Sequence, residues 1–161
     1  GSKLEFFVLD RAAWTDPNGF LKASTNGGNG SIGQTITLKQ YSGARVGVDA
    51  TRIQDSGSAD LVAPVTLNGT TYGTGTSVEL DYGFVVRDQN GIQYFVGKVD
   101  LGFLDTVYDG SVITAGWNPA TNAWVGPPAA GKGTHLRAVG APSLCHAPRR
   151  SASSSVRTWS M

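Results

Sequence analysis

From Phe6 to Leu104, short runs of apolar, β-branched and aromatic residues alternate with clusters of Gly, Asn and Asp, the rhythm of antiparallel strands joined by tight turns. No segment carries the apolar spacing of a surface helix. The run SVELDYGFVV shows the strand period most plainly: Val78, Leu80, Tyr82 and Phe84 fall on one face and Glu79, Asp81 and Gly83 on the other, which predicts a half-buried strand. Further strands are expected over 4–9, 32–39, 44–48 and 61–67, separated by the polar stretches TDPNG, STNGGNGS and QDSGSAD. Asn68-Gly69, between VTL and TTY, and Asn90-Gly91, between FVVRDQ and IQYFV, predict hairpins with type I′ turns. About eight such strands imply an all-β fold, an antiparallel β-sandwich or small barrel. After Tyr108 the pattern loosens into GWNPATNAWVGPPAAGKG, where Trp117 and Trp124 are expected to plug an open end, a reading that outweighs a sugar-stacking platform.

Composition changes this picture in two places. At 161 residues, with 40% hydrophobic and 16% charged side chains, the chain is sized for one packed domain and is not a highly charged disordered polymer. The single cysteine, Cys145, has no internal partner, so packing must hold the fold. The net charge of +1 conceals a division: residues 1–131 carry 8 basic and 12 acidic side chains, whereas residues 132–161 carry 5 basic and none acidic. Residues 1–6 read as a tag or vector remnant, 7–140 as a single β-rich domain, and 141–161 as a basic Ser/Arg-rich tail. Arg149, Arg150 and Arg157 could meet phosphates, but the body is acidic and lacks an aromatic-basic RNA motif, so a solvated tail and no nucleic-acid partner are expected. No apolar run reaches the about 18 residues of a spanning helix. Edge strands could pair between chains into a homodimer.

Candidate chemistry is sparse, and no catalytic group declares itself. Asp16 with Asn18, and Asp88 with Asn90, place oxygen donors two residues apart as a calcium loop does, although neither reaches a bidentate Glu and turn stabilisation explains both more simply. His135, Cys145 and His146, with Asp109 or Asp105 supplying oxygen, are the donors for a zinc site. Cys145 and His146 are adjacent, however, and so point to opposite faces of a strand, while their spacing from His135 matches no standard zinc pattern. Were zinc held there, it would lower the pKa of bound water towards about 7 for attack on activated esters or phosphate esters. No Gly-x-Ser-x-Gly elbow is present.

The stretch VTLNGTTYGTGTSVELDYGFVVRDQNGIQYFVGKVDLG, followed by GSVITAGWNPATNAWVGPPAAG, resembles the β-rich region directly upstream of hedgehog/intein-type (Hint) autoprocessing domains in large bacterial secreted-type proteins. The resemblance covers Val65 to Ala130 and rests on texture and order, not on catalytic residues. In that family a Cys-Phe-x-x-Gly-Thr stretch opens the autoprocessing domain. Cys145 sits at the matching distance, but His146-Ala147-Pro148-Arg149-Arg150 follows it, so no intein-like chemistry carries over. Arg, Ser, Ala and Pro dominate 141–157, as in a GC-rich gene read out of frame, and the tail is expected to be out-of-frame or vector-derived. The resemblance implies a non-catalytic β module of an extracellular or cell-surface bacterial protein, with a binding or spacing role and no required cofactor. The competing expectations are a weak zinc-dependent hydrolase and a calcium-stabilised adhesion module.

Overall fold

A computed structural model describes residues 1–16, 21, 32–54, 59–102, 110–131, 134–140, 143–144, 148–150 and 157–159. The described residues carry a 3-10 turn at Arg11–Ala13 and otherwise form strands joined by turns and irregular segments. The strands are β1 (Leu4–Leu9), β2 (Trp14–Thr15), β3 (Thr35–Leu38), β4 (Gly43–Val48), β5 (Ala59–Asp60), β6 (Val65–Leu67), β7 (Thr70–Tyr72) and β8 (Ser77–Arg87). They continue with β9 (Gln93–Leu101), β10 (Gly110–Ile113), β11 (Gly116–Asn118), β12 (Ala123–Val125), β13 (His135–Ala138), β14 (Ser143–Leu144), β15 (Pro148–Arg150) and β16 (Arg157–Trp159). One antiparallel sheet runs β2-β3-β13-β8-β9-β10-β1-β4 and curls into a half-barrel, with β5 and β14 attached to β8 and the β11–β12 hairpin attached to β9. Two small sheets, β6–β7 and β15–β16, are not hydrogen-bonded to it, and β6 packs Val65 and Leu67 into its core. The all-β antiparallel expectation is met. Among the described residues no helix is long and apolar enough to cross a membrane.

The Asn68-Gly69 turn forms as expected: both residues have positive φ, 54° and 79°, and they join β6 directly to β7. The second turn differs. Asp88 to Ile92 form a longer loop closed by Gly91 N–H to Asp88 O at 3.1 Å and Asp88 N–H to Ile92 O at 3.0 Å, and Gly91 has φ 83° while Asn90 stays out of the positive-φ region. That pattern is a type I turn followed by a glycine bulge, not type I′. The strand expected over 61–67 is also shorter: Leu61 makes only an isolated bridge to Val48, and pairing resumes at Val65.

The largest correction lies in β8. Leu80 pairs with Val99 and Gly83 with Gly97, so Asp81 and Tyr82 together oppose Lys98, a β-bulge that reverses the face presented by every later residue. Val78 and Leu80 consequently enter one core with Leu4, Val46, Val48, Val99 and Leu101, while Phe84 and Val86 enter the other with Ile36, Leu38, Val96 and Leu136. Both faces of the central strands are buried. Glu79 and Asp81, expected towards solvent, are each only 5% exposed. Trp14 rather than Trp117 or Trp124 is the core tryptophan, its indole Nε1–H donating to the Ser111 hydroxyl at 2.8 Å.

Candidate functional site

The tip of the β8–β9 hairpin, the extended segment 126–129 and the start of β13 enclose an open groove of about 420 Å³. Asp88 organises its first wall. One carboxylate oxygen, Oδ1, accepts the backbone N–H groups of Asn90 and Ile92, both at 2.9 Å, and Oδ2 accepts the Tyr94 hydroxyl at 3.3 Å. An Asp side chain at the start of a turn favours this geometry because it satisfies amides that the reversing backbone cannot. Burial, reinforced by the Asp88 negative charge and hydrogen bond and by Tyr41, pushes the Tyr94 phenol up to about 12.

Pro127 and Pro128 form the opposite wall, where the fixed proline φ holds the chain extended without intrastrand hydrogen bonds. The Tyr41 hydroxyl donates to the Pro128 carbonyl, and the Thr134 hydroxyl donates to the Ala129 carbonyl at 2.7 Å. Burial raises the Tyr41 phenol above its usual range. Below them Gly116 sits where any Cβ would lie 2.5 Å from Ile92 Cγ2 and 2.6 Å from Tyr94 Cε1, so only glycine lets β11 close against the groove floor. His135 completes the rim. It is exposed, and its Nδ1 lies 3.0 Å from the Thr37 hydroxyl, which leaves Nε2 as the nitrogen directed elsewhere.

Asp88, Asn90 and His135, which the sequence assigned to two different metals, therefore line one groove, joined by Gln89 and Tyr94. Asp16 lies elsewhere, its Oδ2 accepting the Leu21 N–H at 2.8 Å. Asn18, Asp105, Asp109, Cys145 and His146 are outside the described residues. Among the described residues no group of three or more His, Cys, Asp or Glu side chains is arranged to hold a metal ion.

Two other features carry charge. A second depression, of about 440 Å³, is lined by Arg87 and Arg137, which are cross-strand partners, together with Ile32 and Gly33. Between β8 and β9, Lys98 Nζ lies 3.6 Å from Asp100 Oδ1 and 3.9 Å from Asp81 Oδ2, with all three residues no more than 5% exposed. Glu79, equally buried, pairs across the sheet with Asp100, and Ser111 pairs with Lys98. The sequence signal was present: Lys98 and Asp100 interrupt the apolar run FVGKVDLG at same-face positions. Trp117 and Trp124, cross-strand partners at 5.1 Å in an edge-to-face arrangement, stand on the other side of their hairpin from Gly116 and Val125, away from the groove. Comparison with protein families, with curated proteins and with solved structures finds no match to this chain.

Proposed function

We propose that this chain is a non-catalytic β module of an extracellular bacterial protein, of the kind that precedes a Hint autoprocessing domain, and that it acts by binding a polar ligand in the Asp88–Tyr94–His135 groove. The observation that carries this reading is the state of the groove's acid–base groups. The Asp88 carboxylate is taken up by two amides and a phenol, and His135 Nδ1 is engaged by Thr37, so these groups hold the walls in place instead of activating a nucleophile. What faces the groove is a set of amides (Gln89, Asn90), one imidazole and apolar proline and isoleucine surface. Such a mixture suits a neutral, hydroxyl-rich ligand such as a short glycan, which needs several directional hydrogen bonds and one apolar contact.

The test is a glycan panel probed with the full chain in the presence and absence of a chelator, alongside turnover assays on activated esters and phosphate esters. Binding that survives the chelator, with no turnover, is expected. His135→Ala should weaken the best hit by about three- to tenfold, the worth of one hydrogen bond of about 1 kcal/mol. Zinc-dependent turnover lost in His135→Ala would favour the hydrolase instead, and a melting temperature that rises with calcium would favour the adhesion reading.

A further inference from the structure

The paired strands β8 and β9 hold one buried ammonium group among three buried carboxylates, an arrangement that burial makes costly unless the charges are neutralised. We infer that Lys98 and Asp81 are placed to join through a side-chain amide, a covalent strap between β8 and β9. Three observations converge on this bond. Lys98 Nζ, an amine nucleophile once deprotonated, lies 3.9 Å from Asp81 Oδ2 in surroundings where both residues are no more than 5% exposed. Asp100 Oδ1 lies 3.6 Å from the same nitrogen and is positioned to carry a proton. The pairing of Glu79 with Asp100 and Leu80 with Val99 sets Asp81 opposite Lys98, so that the two side chains share one face of the strand pair.

The chemistry balances without a co-reactant. A proton passes from the Lys98 ammonium to the Asp81 carboxylate, giving an amine and a carboxylic acid. Nζ then attacks Asp81 Cγ. Asp100 takes a proton from Nζ in the tetrahedral intermediate and returns it to the departing hydroxyl, which leaves as water. One Nζ–Cγ bond forms, one Cγ–O bond breaks, and nothing is oxidised or reduced. Two opposite buried charges disappear, and a dry site favours the loss of water. Asp100, the nearer carboxylate at 3.6 Å, serves as the proton carrier, and Asp81, at 3.9 Å on the neighbouring strand, as the acceptor.

The strap does not depend on the groove having a ligand. It is tested by intact-mass spectrometry on the folded full chain, a reading that requires no variant. The expected mass is lower than that of the sequence by one water, about 18 Da. Trypsin should then fail to cut after Lys98 and should release a branched species joining the 53–87 peptide to the 88–132 peptide. Lys98→Arg, which keeps the positive charge, should return the full sequence mass. Asp81→Asn should form the same amide with loss of ammonia, about 17 Da below its own sequence. Folded protein at its full sequence mass would overturn the inference, and so would a mass loss confined to the 88–132 peptide, which would place the bond on Asp100.

Discussion

Asp88 holds the hairpin-tip wall of the groove, because its two oxygens satisfy two backbone amides and the Tyr94 phenol. Asp88→Ala would leave those donors without their acceptor at the hairpin tip, and a destabilisation of about 1–3 kcal/mol is expected in a urea titration. The same contact sets an alkaline signature. Burial first, then the Asp88 charge, raises the Tyr94 phenol to about 12. The folded state therefore favours the neutral phenol. Its contribution to stability is complete below the unfolded phenol's value of about 10, and it fades as pH climbs from there through the folded value. Phenolate absorbance should show Tyr94 ionising near the top of that window, and Asp88→Asn should lower its midpoint by removing the charge while leaving the burial.

β8 shows where local pattern stops being informative. The Asn68-Gly69 turn and the span of β1 follow from nearest neighbours, since positive φ and strict alternation are local properties. The bulge at Asp81–Tyr82 is not local: it depends on the pairing of β8 with β9, and nothing in SVELDYGFVV marks an extra residue. Reading alternation straight through it put Leu80 and Phe84 on one face and turned Glu79 and Asp81 outward, whereas the pairing sends the two apolar residues into separate cores. Leu80→Ala and Phe84→Ala should accordingly both behave as core truncations, costing about 2–5 and about 3–5 kcal/mol in equilibrium unfolding. A near-neutral result for either would contradict the burial of Leu80 and Phe84 in two cores. Gly116→Ala should be similarly harmful, by about 1–3 kcal/mol, because the new methyl would overlap Ile92 and Tyr94 and the strand would have to lift away from the groove floor. The site was visible only in fragments for the same reason. Asp88, Asn90 and His135 stand out by residue type, but their meeting requires β13 to lie beside β8, a long-range pairing that no local spacing encodes.

Among the described residues, the main element is one curled sheet with apolar packing on both faces, a buried charged cluster between β8 and β9, and a polar groove where a hairpin tip, a proline segment and β13 meet. Ligand contacts should therefore gather in that groove, while the Trp117–Trp124 pair on the reverse side of its hairpin should remain a bystander. The most direct measurement is a backbone-amide chemical-shift map of the full chain titrated with the best-binding glycan. Shifts confined to Gln89–Tyr94, to Val125, Gly126 and Ala129, and to Thr134–His135, with the ligand recovered intact, are predicted. Shifts centred on Trp117 and Trp124, or a ligand consumed during the titration, would contradict the account.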